Sequence, residues 1–365
     1  MSLQGKGFFI WQIPRSEGGN ATTIARLAGE AGLTHVLIKI ADGTSAYNLD
    51  LSTGADLVPA VAQALRARGI QVGGWHWVYG YDPVREADIA IRRTLELDLD
   101  IYVVNAEAPY KEPGKATAAR IFMDRVRAGI PGVPIALSSY RYPTLHPQFP
   151  WTTFLERCDI SMPQVYWLLN HNPGEQLVRS LREYQAITPF RTYIPTGAAF
   201  TQSGWSPTPE DIEEFLDTAR LLNLQAANFY EWANCRLYLP KVWEAIDAYD
   251  WGGPVTPPDI AQAYIDALNT HEPGQVLALY TDLPVHVTSA RTIQGRPALE
   301  NWYTGLFNTI LPEAEFTLTG FSGSGSSRHL NWTAVSEAGN VYNGNDTFGL
   351  VNGKIAYHYT FFTIT

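Results

Sequence analysis

The first 250 residues alternate, eight times over, a short apolar run rich in β-branched and aromatic residues with a longer amphipathic stretch. The apolar runs fall at 7–13, 35–40, 71–77, 101–107, 134–140, 160–167, 191–195 and 226–232. Helix-period stretches lie between them at 22–31, 55–68, 84–97, 116–128, 175–186 and 209–222. Strands that alternate with helices build parallel sheets with helical crossovers. Eight repeats within residues 1–250 predict a closed (β/α)8 TIM barrel. An open doubly wound sheet would instead want a glycine-rich phosphate turn after its first strand, and Glu17-Gly18-Gly19-Asn20 does not supply G-x-G-x-x-G.

A Pro/Gly segment at 251–258 ends this pattern and reads as a linker. Beyond it, an amphipathic helix is expected at 260–269, further helices at 275–280 and 296–306, and strands at 314–319, 329–336, 346–351 and 354–363. Three short helices followed by a curved antiparallel sheet make an α+β cone over 259–365.

The 26 basic and 36 acidic side chains give a net charge of −10, and no Lys/Arg-rich run follows a phosphate backbone, so nucleic acid is not an expected partner. No apolar run approaches the roughly 20 residues that span a bilayer, so no membrane partner is expected. The N-terminus lacks the basic, apolar, small-residue order of a signal peptide. Met1-Ser2-Leu3 is also compatible with a trimmed leader, which leaves a cytoplasmic and a secreted location both open. Cys158 and Cys235 are too few for a disulfide framework, and no Cys/His spacing suggests zinc; no metal or cofactor is expected.

Chemistry in a β/α barrel gathers where strands end and the following loops begin. Those ends supply Asp42, Trp75-His76-Trp77, Asn105 and Glu107, Gln164, Tyr166-Trp167, and Glu231-Trp232. Aromatic faces stack on the C–H faces of sugars, and carboxylates protonate glycosidic oxygens. Strand alternation puts Val103, Asn105 and Glu107 on one face, so Glu107 is the first candidate for a general acid, unless Lys39, Lys111 or Arg141 merely pairs with it. Glu231 is a second catalytic candidate, and Asp42 and Asp82 read as turn caps, Asp42 also as a substrate contact. His76 has no second histidine at metal-ligand spacing.

Ile38-Lys39-Ile40-Ala41-Asp42-Gly43, Gly74-Trp75-His76-Trp77 and Asn105-Ala106-Glu107 resemble strand motifs of the bacterial and fungal muramidases of glycoside hydrolase family 25. The resemblance implies that Glu107 is the acid. The family's first-strand aspartate falls on Phe9, and the first acid of its Asp-x-Glu motif is Asn105. Asp159 to Trp167 is similar to the sixth strand of chitinase-like family 18 barrels, which implies a tyrosine, here Tyr166, that supports the substrate's acetamido group while that group acts as nucleophile. In the tail, Leu279-Tyr280-Thr281-Asp282, Ile293 to Leu299, Gly344 to Phe348 and Val351 to Ile355 with His358 resemble the polyketide-cyclase-like (SnoaL-like) branch of the nuclear-transport-factor-2-like (NTF2-like) superfamily. In enzymatic members an Asp–His pair shuttles a proton, which implies Asp346 with His286 or His358.

Together these readings predict a glycoside hydrolase for an amino-sugar polymer. Glu107, Tyr166 and Glu231 would be catalytic, and Trp75, His76, Trp77, Asn105, Gln164, Trp167, Trp232 and Asp42 would hold the carbohydrate. The alternatives are a non-catalytic carbohydrate-binding barrel, or small-molecule binding or isomerisation in the tail. The dense aromatic residues of the last strands, Tyr357, Tyr359, Phe361 and Phe362, suggest a homodimer through the C-terminal domain.

Overall fold

The structure is a computed structural model that describes residues 3–252, 259–323 and 325–365. The chain divides into two compact units, 1–255 and 256–365. Residues 253–258 of the expected linker lie outside the described residues.

In the first unit the strands are β1 (Gly5–Ile10), β2 (Leu33–Asp42), β3 (Ser45–Ala46), β4 (Gln71–Val78), β5 (Ile101–Ala106), β6 (Ile135–Tyr140), β7 (Ile160–Val165), β8 (Thr192–Tyr193), β9 (Thr196–Ala198) and β10 (Ala226–Tyr230). The parallel path β1-β10-β9-β7-β6-β5-β4-β2 closes where β2 pairs with β1, giving an eight-strand parallel barrel flanked by helices. The short β3 only folds back antiparallel on the end of β2. The seventh stave is broken rather than continuous at 191–195: β8 and β9 flank Ile194 and Pro195, and both pair with β7. Pro195 has no N–H to give to a ladder, but its carbonyl still accepts from Asn228 N at 2.8 Å.

Two apolar layers follow from the pleat. Phe8, Val36, Val72, Tyr102, Val104 and Ala106 face the helices, whereas Phe9, Leu37, Trp75, Val103 and Met162 fill the barrel interior. Phe9, which stands where a carboxylate was expected by resemblance, is a filler: its ring meets Trp75 and Tyr230 edge-on at 6.1 and 6.0 Å. At the floor, His35 Nε2 lies 2.6 Å from Asn228 Oδ1 over Gly7, where a Cβ would come within 2.0 Å of that nitrogen. Lys6 donates to the carbonyls of Ile246 and Tyr249, both at 2.6 Å, tying β1 to the end of helix α9 (Pro240–Ala248). Burial, against the attraction of Asp247 and Asp250, brings its pKa down to about 8.

The second unit has helices α10 (Ile260–Asn269), α11 (Pro273–Ala278) and α12 (Arg296–Gly305), the last extended by a π-turn over Leu306–Ile310. Its sheet contains β11 (Tyr280–Val287), β12 (Thr292–Gln294), β13 (Glu315–Ser322), β14 (Ser327–Ser336), β15 (Gly339–Val351) and β16 (Lys354–Phe361), in the order β12-β11-β16-β15-β14-β13. The expected all-antiparallel sheet after three helices needs correction. β11 and β12 sit between α11 and α12, and β11 runs parallel to β16. Asp259 caps α10 through Ala261 N at 3.0 Å and pairs with Arg328 at 2.7 Å.

Candidate functional site

Glu107 follows directly on β5, and its neighbours Asn105 and Val103 lie on the interior face. It is half-buried, and its Oε1 accepts from Asn105 Nδ2 at 3.0 Å and from Gln164 Nε2 at 2.8 Å. The same Gln164 amide reaches Asn105 Oδ1 at 2.9 Å. Two amide donors on one oxygen fix the carboxylate's direction, and no hydrogen bond occupies Oε2 among the described residues. None of Lys39, Lys111 and Arg141 pairs with Glu107. Lys39 bonds Asp42 at 2.6 Å, Lys111 bonds His146 at 2.8 Å, and Arg141 donates to the Tyr166 carbonyl and to Gln176.

Three phenols stand close enough to feel the Glu107 charge. Burial first, then Glu107, pushes Tyr140 up to about 12, and burial, Tyr230 and Glu107 hold Tyr166 well above its ordinary value. Tyr230 is raised by burial, Glu231 and Glu107. All three therefore stay protonated near neutral pH. Tyr166 packs edge-on to Phe200 at 5.1 Å and lies 6.0 Å from Tyr230, placing its ring at the mouth with theirs. Half-buried Trp77 joins the interior cluster, and its indole N–H has no acceptor among the described residues. Lys39, 3% exposed, is surrounded by Tyr47 (4.2 Å), Trp75 (5.0 Å), Trp11 and Trp77 (both 5.9 Å).

Several expected contacts are corrected. Trp167 and Trp232 are wholly buried and offer no face to a sugar. Because Tyr166 points inward, Trp167 turns into the helix layer, where it meets Phe215 at 5.2 Å and donates to Asp211 at 3.3 Å. Trp232 begins helix α8 (Trp232–Tyr238), packs on Phe8 and Trp243, and donates to Glu17. His76 alternates with Trp75 and Trp77 and so faces outward. Its Nε2 donates to the Gly43 carbonyl at 2.7 Å and its Nδ1 accepts from Tyr102 at 2.9 Å, while burial pulls its pKa down to about 4. Trp75 is 2% exposed and serves the interior beneath the mouth, its N–H given to the Ile10 carbonyl. Glu231 is not a free carboxylate: its two oxygens accept from Ala233 N (3.2 Å) and Asn234 N (2.6 Å), capping α8. Asp82 caps helix α3 (Pro83–Glu96), as the turn reading expected, but Asp42 instead binds Lys39 and the Tyr79 hydroxyl (2.8 Å).

The tail gathers its own constellation. Register places His286 opposite His358 and Asp346 opposite Thr360, all facing the helices and 5% exposed or less. Asp346 Oδ2 lies 3.4 Å from His358 Nε2 without a hydrogen bond, while Oδ1 accepts from the Thr360 hydroxyl. His358 Nδ1 continues at 2.6 Å to Tyr280, whose oxygen is 2.6 Å from that of Tyr303, and Tyr264 follows at 3.1 Å. His286 stacks on His358 at 4.1 Å, and neither of its nitrogens has a partner among the described residues. Burial, then His358, takes its pKa down to about 2, so its ring is neutral. The tyrosine chain escaped the sequence reading. Its signal was Tyr264, a hydroxyl on the otherwise apolar buried stripe of α10. Among the described residues, no three His, Cys, Asp or Glu side chains gather as a metal set.

Comparison with known proteins bears on the tail. The SnoaL-like domain model matches residues 261–358. Similar solved structures include a protein with a ketosteroid-isomerase-like fold from Catenulispora acidiphila, solved with trimethylamine (16% identity, 29% of this chain and 85% of that chain, TM-score 0.26). NTF2-like proteins of unknown function from Cytophaga hutchinsonii (13%, 31% and 94%, TM-score 0.26) and Burkholderia xenovorans (16%, 29% and 81%, TM-score 0.26) are also similar. No curated protein matches the chain. Residues 261–358 are thus a SnoaL-like domain that follows a closed eight-strand β/α barrel in sequence.

Proposed function

We propose that the barrel is a glycoside hydrolase for an amino-sugar polymer, with Glu107 as its acid. The observation that supports it most is the Glu107 carboxylate, aimed by Asn105 and Gln164 on one oxygen and open on the other, at the mouth beside Tyr140, Tyr166 and Tyr230. Because Lys39 and Tyr79 occupy Asp42, and helix amides occupy Glu231, neither is free, among the described residues, to be the second member of a two-carboxylate mechanism. A substrate-assisted route needs only one. Protonated Glu107 gives its proton to the glycosidic oxygen, the C1–O bond breaks with its electron pair going to that oxygen, and the substrate's acetamido oxygen bonds to C1. Water then attacks C1 as the bond from C1 to the acetamido oxygen breaks, its electron pair returning to restore the acetamide, and the water's proton goes to the Glu107 carboxylate. Tyr166, a protonated phenol, would hold the acetamido group.

The test is cleavage of chitin-like and peptidoglycan-like oligomers by wild type and Glu107→Gln, with binding measured in parallel. Loss of cleavage with retained binding supports the assignment. Equal cleavage ends it, and wild-type binding without cleavage favours a non-catalytic carbohydrate-binding barrel.

A second reading, for the tail, is small-molecule binding with proton transfer. It is favoured by the wholly buried Asp346 Oδ2 and His358 Nε2, which face each other without a hydrogen bond. Asp346→Asn should abolish any isomerase or cyclase turnover found for the protein while leaving barrel activity intact.

A further inference from the structure

We infer that the polymer at the barrel mouth is anionic, with carboxylates on its sugar rings, and that Lys111 with His146 and, three staves away, Arg15 read those charges. The inference rests on the glycan reading of the mouth and adds the substrate's charge to it. The chain is acidic overall, at −10, yet the carboxylates of the mouth are engaged: Asp42 by Lys39 and Tyr79, Glu231 by two backbone amides, and Glu107 by two side-chain amides. Two cations there, Lys111 and Arg15, make no ion pair with any of them among the described residues.

Lys111 lies four residues after Glu107 on the loop leaving β5. It is half-buried over the Tyr140 ring at 4.2 Å, and its ammonium donates to His146 Nδ1 at 2.8 Å rather than to a carboxylate. An imidazole that accepts at Nδ1 carries its proton on Nε2, so His146 offers an N–H donor beside the ammonium. The imidazole lies tilted against the Tyr140 ring, 3.8 Å between centroids, which holds donor, cation and aromatic face as one cluster next to Glu107. Glu183, the carboxylate that acts on His146, is itself held by Thr144 and Arg179. An ammonium and an N–H side by side match a carboxylate oxygen pair better than a neutral hydroxyl.

After β1, Arg15 lines a shallow depression with Trp11, Gln12, Asn234 and Tyr238, beside the capped Glu231. Trp11 and Tyr238 are 39% and 58% exposed, and the Arg15 guanidinium, whose charge reaches Glu231, makes no ion pair with it or with another carboxylate among the described residues. An open indole beside an unpaired guanidinium suits a pyranose ring that bears a carboxylate. A neutral polymer would leave both cations without a carboxylate in contact.

The experiment compares binding of an oligomer alternating N-acetylglucosamine with glucuronate against N-acetylglucosamine hexamer, at low and high salt. Wild type, Lys111→Gln, Arg15→Gln and the double variant are all used as full chains, with circular dichroism melting to check the fold. The anionic oligomer should bind about tenfold more tightly at low salt, lose that advantage as salt rises, and lose it in the double variant while neutral-oligomer binding holds. Equal or better binding of the neutral oligomer, or an unaltered preference in a folded double variant, overturns the inference and leaves the glycan reading standing. Binding of neither oligomer overturns both. Binding of the anionic oligomer without cleavage supports the charge inference while ending the role of Glu107 as an acid.

Discussion

Gln164 Nε2 sits 2.8 Å from Glu107 Oε1 and 2.9 Å from Asn105 Oδ1, so one amide from β7 fixes two residues of β5 and its loop across the mouth. The pairing runs over the intervening β6, whose Ser138 is opposite both Asn105 and Met162 in register. An acid held by a neighbour rather than by its own strand is sensitive to that neighbour. On any glycan that the protein cleaves, Gln164→Leu should lower kcat by about tenfold or more and change KM less, because orientation acts on the reacting step. Steady-state kinetics of the two proteins checks it, and an unchanged kcat would remove Gln164 from the machinery.

The barrel floor makes a structural prediction. A Cβ on Gly7 would stand 2.0 Å from His35 Nε2 and 2.6 Å from Asn228 Oδ1, too close for either to keep its place. Gly7→Ala should cost about 3 kcal/mol or more in urea unfolding. Adding His35→Ala should recover part of that loss, since the ring is the first obstacle. A Gly7→Ala protein of wild-type stability would show that the floor is looser than these distances.

Stability should also fall in acid by a definite route. Burial lowers His35 and His76 from 6.5 to about 4 each, so both are neutral in the folded barrel over a range in which the unfolded chain binds their protons. Stability therefore rises with pH between about 4 and 6.5, and is lost as pH falls through that window, by at most about 3 kcal/mol per histidine. Lys6 works in the same direction at higher pH: lowered from 10.5 to about 8, it adds stability as pH rises between those values. Urea unfolding of wild type and His76→Gln from pH 4 to 7 tests the first window. The variant should show the shallower slope.

What the sequence made legible was periodicity, and what it hid was the direction of side chains once a strand ends. Eight alternating runs were enough for a barrel, because each pleat sorts Phe9, Val103 and Met162 inward and Phe8, Val104 and Ala106 outward. Glu107 continues that alternation and reaches the mouth. Trp167 keeps the alternation of β7 and for that reason faces the helices, whereas Trp232 lies past the end of β10 at Tyr230, where helix geometry sets its direction. Glu231 looked like chemistry because it is acidic and follows a strand. It also stands immediately before a helix, where a carboxylate satisfies free backbone N–H groups, and that role won. The Lys111–His146 pair spans 35 residues and two loops, so no local spacing could announce it.

The outer face of the tail's sheet carries the last prediction. Register places Tyr357 opposite Val285 and Tyr359 opposite Val287, with Phe361 two residues further on the same face, and these rings are 44%, 36% and 39% exposed. The opposite pleat, at Ile355, His358 and Thr360, is buried against the helices, so the aromatic row cannot be recruited to the domain's own core. A row of half-exposed rings along a strand is costly to leave in water. A second copy related by a two-fold axis would cover it with the same row, satisfying both at once. We therefore expect the full chain to be a homodimer at micromolar concentration and Tyr357→Lys with Tyr359→Lys to be a monomer, because like charges would meet across the axis. Light scattering of both proteins over a dilution series decides it: a wild-type monomer throughout, or a dimer unaffected by the two lysines, would show that this face is not what joins the copies.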